Sequence, residues 1–168
     1  MNRFHIVGGK NHGKTTLIVE LVQELIRRKL RIATIKHTHH QHELDTPGKD
    51  SHRHRVAGSE GVGIISQGLS AVFWKTDAQD ESHESQYATF DKFFAQMDLL
   101  LVEGDLKTTA PKIEVWRAVR GTPPIAENDP GICAMITDDP VDLNTTILSR
   151  SKLEETATWI EKTFVEKS

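Results

Sequence analysis

The sequence is poor in cysteine, lacks a long hydrophobic run and shows no excess of charge of either sign. Its one cysteine, Cys133, excludes an intrachain disulfide and favours a reducing compartment. No apolar stretch approaches the roughly 20 residues that a bilayer-spanning helix needs, and no N-terminal targeting segment is visible. We therefore expect a soluble, cytoplasmic protein.

Lysine and arginine number 21 against 24 aspartates and glutamates, which gives a formal net charge of −3. This balance provides no electrostatic reason to expect a nucleic-acid or membrane partner, and we expect neither. The length of 168 residues fits one folding unit. We therefore expect a single domain that spans residues 1–168.

Short apolar runs and helical patterns alternate along the first part of the chain. Residues 4–7 are apolar and end at two glycines, which is typical of a buried strand. Residues 15–29 have helical spacing of apolar side chains, and residues 30–35 resemble a second strand. The order strand, helix, strand predicts parallel pairing with a right-handed crossover.

The rest of the chain continues this α/β pattern after a long polar loop at residues 37–51, a kind of segment that is usually functional. The pattern predicts a short helix at 51–57, strands at 61–66 and 71–75, a helix at 85–96, a very hydrophobic strand at 99–102 that we place at the centre of the sheet, strands at 112–117 and 131–137, and a last helix at 153–165. The predicted fold class is α/β, a P-loop NTPase domain whose mostly parallel sheet is flanked by helices. An antiparallel hairpin is expected around residues 61–75.

The segment between the first strand and the first helix carries the strongest motif. Gly8-Gly9-Lys10-Asn11-His12-Gly13-Lys14-Thr15 fits G-x-x-x-x-G-K-[ST], a phosphate-binding loop. Chance gives this pattern somewhere in such a chain with a probability of roughly half a percent, from average residue frequencies. In this motif the backbone N–H groups point at phosphate oxygens, the lysine reaches the β- and γ-phosphates, and the threonine hydroxyl binds Mg²⁺.

A P-loop NTPase also needs a carboxylate at the tip of a neighbouring buried strand. Glu103 ends the run Leu99-Leu100-Leu101-Val102 and precedes Gly104, so we expect it to bind the metal or take part in catalysis. Asp45 in the long loop is a second candidate for the Mg²⁺ site, with a plain turn aspartate before Thr46-Pro47-Gly48 as the alternative. Asp50 also lies in this loop, but it fits a helix cap equally well.

Nine histidines are present, and most of them lie in or after the long loop: His37, His39, His40, His42, His52 and His54. Imidazoles at such short spacing can bind a transition metal. The alternative is a set of polar loop residues that contact phosphate, a partner or water. Both interpretations stay open from the sequence.

Four segments together resemble one known family. They are the phosphate-binding loop and the stretches at residues 35–40, 45–51 and 100–104, which read IKHTHH, DTPGKDS and LLVEG. In the same order and at similar spacing over essentially the whole chain, they resemble molybdopterin-guanine dinucleotide biosynthesis protein B, a GTP-binding adapter family.

This resemblance implies a homodimeric protein that binds GTP with Mg²⁺ and hydrolyses it slowly. It also implies association with the nucleotidyltransferase that joins GMP to molybdopterin. On this basis Gly13, Lys14, Thr15 and Thr16 hold phosphates, and Thr15, Asp45 and Glu103 serve Mg²⁺. Lys36 and His37, with the segments 37–40 and 49–51, face the nucleotide or the molybdopterin cofactor being completed. Lys14 and Glu103 are the expected catalytic residues.

Two departures qualify the resemblance. Gly9 stands where related proteins often carry a lysine that reaches across a dimer, and no Asn-Lys-x-Asp guanine motif is present. Asp138, in Thr137-Asp138-Asp139-Pro140, is our candidate for guanine recognition, because a carboxylate can accept hydrogen bonds from guanine N1 and N2. A plain turn is the alternative.

Two other functions remain open from the sequence. One is a histidine-rich metal-insertion GTPase, and the other is an ATP-dependent small-molecule kinase or ligase. No arginine finger is obvious in the sequence. Arg53 and Arg55 are candidates in trans, with surface salt pairing as the alternative.

Overall fold

The computed structural model describes residues 2–38, 43–76 and 83–166. In this part of the chain the strands are β1 Arg3–Val7, β2 Ile32–Lys36, β3 Gly61–Ser66, β4 Leu69–Trp74, β5 Leu99–Glu103, β6 Lys112–Val115, β7 Ile132–Ile136 and β8 Thr146–Leu148. The α-helices are α1 Lys14–Arg27, α2 Asp50–Val56, α3 His83–Phe93 and α4 Leu153–Ile160. Short 3-10 turns at Ala118–Arg120 and Ile125–Glu127 and a π-helical turn at Glu161–Val165 complete the secondary structure.

The chain forms two compact units. The first consists of Met1–Thr38 and His83–Ser168, and the second consists of His39–Ser82. The number of domains stays a prediction.

The first unit contains a six-stranded sheet in the order β2-β5-β1-β6-β7-β8, and every neighbouring pair is parallel. The expected direct pairing of β1 with β2 is wrong, because β5 lies between them. The burial of the strands gives the reason. Residues 99–102 of β5 are fully buried and fit an interior position, whereas β2 is partly exposed and lies at the edge. β5 is an interior strand, but it is second from this edge, so the prediction that it lies at the centre of the sheet is wrong.

Helices cover both faces of this sheet. Leu99 and Leu101 of β5 belong to the hydrophobic cluster that includes residues of α1 and α4. Leu100 and Val102 face the other side, where Tyr87 of α3 is buried. This division follows from the pleat of the strand, since successive side chains point to opposite faces. The α/β class and the mostly parallel sheet flanked by helices are confirmed.

The second unit contains α2 and the antiparallel pair of β3 and β4, which confirms the hairpin predicted around residues 61–75. Its register runs from Gly61 opposite Trp74 to Ser66 opposite Leu69. Gly68 in the connection has a φ of 82°, a left-handed conformation that favours glycine.

One strand, β8, was not predicted from the sequence. β8 has only three residues, and they are exposed or half-buried, so they form no recognisable apolar run. The other predicted elements are present, with ends that differ by at most five residues. The last helix ends at Ile160 as an α-helix and continues as the π-helical turn.

Candidate functional site

The phosphate-loop sequence forms a tight turn between β1 and α1. A Cβ on Gly8 would lie 2.4 Å from the carbonyl oxygen of Val115 on β6, so only glycine fits there. Gly13 and Asn11 have φ values of 97° and 65°, in the left-handed region that glycine and asparagine tolerate best. The chain thus curls into a concave loop at the N-terminus of α1.

Lys14 lies inside this curl. Its Nζ donates to the carbonyl oxygens of Gly8 and Gly9, at 2.9 and 2.8 Å. Burial lowers the pKa of Lys14 and nearby Lys36 lowers it further, while Glu103 raises it. The ammonium group is therefore held where the motif requires a phosphate-binding cation.

Thr15 and Glu103, the two residues expected at the metal site, lie in contact. Thr15 Oγ1 donates to Glu103 Oε1 at 2.7 Å. The sheet explains the contact, because β1 and β5 are neighbours and Ile6 is in register with Glu103. A hydroxyl and a carboxylate oxygen are ligands that Mg²⁺ prefers. The residues present therefore fit a magnesium ion.

A cavity of about 600 Å³ opens above the loop, within the range of small-molecule sites. It is lined by Lys10, Asn11, Gly13, Lys14, Thr15, Thr16, Lys36, Glu103, Arg117 and Arg120. Five of these residues are cations and one is an anion, so the cavity suits a polyphosphate. The structure thus brings together most of the residues that the sequence assigned to nucleotide binding.

His12 is placed differently from the expectation. Its side chain is 1% exposed and its Nδ1 accepts from the Arg117 backbone N–H at 3.0 Å. Burial lowers the pKa of His12, and the positive charges of Lys14, Arg120 and Arg117 lower it further. The ring is therefore neutral with its proton on Nε2, which donates to Thr122 Oγ1 at 3.0 Å. The His12 ring therefore stabilises the loop through these two hydrogen bonds. Of His12, only the backbone remains available to a phosphate.

Sequence reasoning missed Arg117 and Arg120. Both line the cavity, and the Arg117 guanidinium lies 3.1 Å from the point that a Cβ on Gly13 would occupy. The strand order is what would have identified Arg117 as a cavity residue, because Arg117 follows β6 and β6 is the neighbour of β1. The two arginines that the sequence offered in trans form local ion pairs, Arg55 with Glu43 and Arg53 with Asp50 at 3.8 Å.

Asp45 and Asp138 both have local hydrogen-bond partners. Asp45 Oδ1 accepts from Thr46 N at 2.8 Å and from Ser51 Oγ at 3.0 Å, within the second unit. Asp138, at the C-terminal end of β7, accepts from Ser149 Oγ at 2.6 Å and from Ser151. Hydrogen bonds from these two serines lower the pKa of Asp138 to about 2, so it is ionised at neutral pH.

The histidine segment divides into described and undescribed parts. His37 follows β2, its backbone N–H donates to Glu103 O at 2.9 Å, and its ring contacts Tyr87 rather than the cavity. Residues 39–42, including His39, His40 and His42, lie outside the described residues. His52 lies on α2, where its Nδ1 accepts from Gly48 N at 3.3 Å and its Nε2 lies 3.5 Å from Glu43.

Across the residues that the structure describes, no helix combines the length and hydrophobicity needed to cross a membrane.

Comparison with known proteins gives one consistent result. The family model for molybdopterin guanine dinucleotide synthesis protein B matches residues 4–138. A molybdopterin-guanine dinucleotide biosynthesis adapter protein from Haemophilus influenzae is 35% identical over 156 residues, which cover 93% of this chain and 85% of the relative. A protein of the same description from Escherichia coli is 33% identical over 88% of this chain and 85% of its own length.

Solved structures agree with these sequence matches. The crystal structure of a molybdopterin-guanine biosynthesis protein B superposes with a TM-score of 0.71 at 25% identity, covering 95% of this chain and 97% of that one. MobB from Bacillus subtilis superposes with a TM-score of 0.73 at 19% identity, covering 98% of both chains, and shows that the fold is shared.

Proposed function

The chain belongs to the molybdopterin guanine dinucleotide synthesis protein B family, and on that premise we propose that it is a GTP-binding adapter in molybdopterin guanine dinucleotide biosynthesis. The observation that supports nucleotide binding is the 2.7 Å hydrogen bond between Thr15 and Glu103, beside the loop that holds Lys14. A hydroxyl, a carboxylate and an ammonium group in this arrangement suit a magnesium-bound nucleoside triphosphate.

Each of these residues has a distinct task in the proposed site. Thr15 and Glu103 hold Mg²⁺, which supplies positive charge against the phosphates when it is bound. Lys14 exchanges its hydrogen bonds to the loop carbonyls for phosphate oxygens. Lys10, Lys36 and the backbone N–H groups of the loop surround the rest of the triphosphate.

We propose that hydrolysis of GTP to GDP and phosphate is slow. Lys14 and Arg117 stabilise the charge that develops as the γ-phosphoryl group passes to water. Among the described residues that line the cavity, Glu103 is the one carboxylate, and it is engaged with Thr15. A carboxylate assigned to the metal is poorly suited to activate the attacking water, which favours nucleotide binding over rapid turnover.

The proposed partner is the nucleotidyltransferase that joins GMP to molybdopterin, and molybdopterin itself is a second candidate ligand. The support is the adapter description carried by both curated relatives. An adapter that holds GTP beside such an enzyme would present the nucleotide that the reaction consumes.

We also propose a homodimer. Ile65 and Val72 on the β3–β4 hairpin are 90% and 53% exposed, and both belong to alternate cross-strand pairs that share one face. Exposed aliphatic side chains grouped on one hairpin face favour association.

The proposal is tested by equilibrium binding of fluorescent GTP and ATP analogues with Mg²⁺. Lys14→Ala is expected to weaken GTP binding by about 2–5 kcal/mol, roughly 30-fold or more, because a buried phosphate charge loses its partner. Lys92→Ala, on the exposed side of α3, is the matched control.

The outcomes separate the candidate functions. A GTP preference that disappears in Lys14→Ala and persists in Lys92→Ala supports the adapter, and co-purification with the nucleotidyltransferase is then the next measurement. A preference for ATP, with turnover only when an acceptor is added, would replace it with a small-molecule kinase or ligase. Binding that is indifferent to Lys14 would contradict the phosphate site.

A further inference from the structure

Three metal-ligating side chains meet beside the phosphate cavity without lining it. His37 follows β2, Asp105 lies two residues after Glu103, and His83 begins α3. One ligand atom from each residue lies within 4.8 Å of the ligand atoms of the other two. The cluster joins two adjacent strand ends and one helix, all in the first unit.

The contacts inside the cluster orient the three groups toward one another. His83 Nδ1 lies 2.8 Å from Asp105 Oδ1, and the rings of His37 and His83 have centroids 4.8 Å apart. Tyr87 OH donates to Asp105 Oδ2 at 2.9 Å and lies 3.0 Å from His37 Nδ1. Tyr87 thus positions the carboxylate and one of the two imidazoles.

The backbone at Asp105 is unusual in a way that favours a site. Its φ is 65°, a left-handed conformation that disfavours side chains, and the preceding Gly104 has a φ of 94°. The resulting turn directs the Asp105 carboxylate inward, where its side chain is 0% exposed. The Lys107 backbone N–H donates to Asp105 Oδ1 at 3.0 Å, a local hydrogen bond that lets aspartate adopt this conformation, and the turn holds the buried carboxylate beside the two histidines.

Two imidazole nitrogens and one carboxylate oxygen form a ligand set for transition metals rather than for Mg²⁺, which prefers oxygen alone. We propose that His37, His83 and Asp105 bind a divalent transition-metal ion, with Zn²⁺ as the ion best suited. Three protein ligands leave a fourth position for water or another ligand.

The geometry requires only modest adjustment. Ligand atoms of a tetrahedral zinc site lie about 3.4 Å apart, given bonds of about 2.0–2.1 Å. The three ligand atoms here lie within 4.8 Å of one another. Side-chain rotations that move these atoms by about 1 Å bring them to that spacing. A metal at this position replaces the hydrogen bond between His83 Nδ1 and Asp105 Oδ1, and the neutral imidazole then carries its proton on Nε2.

The same contacts also describe a hydrogen-bond network with no metal, and titration separates the two. Chelator-treated full-length protein in excess Mg²⁺ is titrated with Co²⁺, whose visible absorption reports nitrogen and oxygen coordination, and Zn²⁺ affinity is then measured by competition with a chromophoric chelator. We expect one equivalent of Co²⁺ per chain, displaced by Zn²⁺.

The variants assign the ligands. His83→Gln and Asp105→Asn are expected to lower the Zn²⁺ affinity at least 100-fold. His54→Gln, an exposed histidine on α2, is the matched control and should leave it unchanged. A triple glutamine variant of His39, His40 and His42 should also retain binding. His83 is a partly exposed residue at the start of α3, so the His83→Gln variant is expected to fold. Thermal unfolding checks this.

Two results would overturn the proposal. One is the absence of stoichiometric Co²⁺ binding by the native chain. The other is binding that survives both His83→Gln and Asp105→Asn, including binding lost only in the triple variant, which would assign the metal to the neighbouring histidine tract. GTP binding is measured in parallel, because its loss would test the proposed adapter function and not the zinc site.

Discussion

His5 shows how one buried side chain makes the stability of this protein depend on pH. The residue is 0% exposed, and its Nδ1 lies 3.0 Å from the carbonyl oxygen of Gly104. Burial is the main cause that lowers its pKa from 6.5 to about 4. The unfolded chain therefore takes up this proton near pH 6.5 and the folded chain only near pH 4.

Between those two values the unfolded state binds more protons, so acid weakens the fold. We expect the free energy of unfolding to fall by about 2 kcal/mol from about pH 7.5 to pH 5, as linkage requires for this shift. Urea denaturation at a series of pH values measures it. His5→Gln should flatten the dependence in this window, and His54→Gln should not. An unchanged slope in His5→Gln would assign the acid sensitivity to other groups.

Asp138 carries the prediction on base recognition. Each carboxylate oxygen can accept two hydrogen bonds. Ser149 and Ser151 together donate two to Oδ1 and one to Oδ2, so an acceptor site for guanine remains on Oδ2. Asp138→Asn is expected to reduce GTP affinity roughly 10-fold or more and leave ATP affinity unchanged, because the amide nitrogen cannot accept from guanine. Competition binding with both nucleotides checks this. Equal loss for both would indicate a structural role at the end of β7.

At the scale of secondary structure, Arg28 ties α1 to α4. Arg28 directly follows α1, and its guanidinium donates to Glu24 on that helix. It also donates to Thr158 Oγ1 and the Glu154 carbonyl oxygen on α4, both at 2.9 Å. Neighbouring Arg27 also binds Glu24 and lies 3.8 Å from the Glu154 carboxylate on α4, but its side chain is 65% exposed. The two arginines therefore form a natural matched pair.

We expect Arg28→Ala to lower the free energy of unfolding by roughly 1–2 kcal/mol, because several partly buried hydrogen bonds between the helices are lost. Arg27→Ala should cost clearly less, since the exposed group is solvated in either state. Chemical denaturation of both variants measures the difference. Equal effects would mean that the ion pairs both arginines make, rather than the hydrogen bonds from Arg28 to α4, are what matters.

At the scale of the whole molecule, the open question is self-association. If the exposed face with Ile65 and Val72 joins two copies, Ile65→Glu should shift the protein from dimer to monomer, because burying an unpaired charge is costly. Sedimentation velocity over a range of concentrations measures this. Leu44→Glu, which changes a different exposed aliphatic residue in the same unit, is the control. A dimer that tolerates Ile65→Glu would place the interface elsewhere.

The sequence by itself determined the turn between β1 and α1, the α/β class, the hairpin and the position of Glu103 at the end of a buried strand. These features depend on local patterns: glycine spacing, apolar periodicity and a carboxylate at the end of a buried strand. A short local pattern is sufficient because the loop geometry and the strand pleat are properties of neighbouring residues.

Only the tertiary structure decided which strands are neighbours, and the remaining site residues follow from that order. The insertion of β5 between β1 and β2 brings Thr15 and Glu103 together, and the position of β6 beside β1 places Arg117 at the loop. The same packing buries the His12 ring and brings His37 next to Asp105, 68 positions further along the chain. Contacts between residues so far apart in the chain depend on how the elements pack, which no local pattern records.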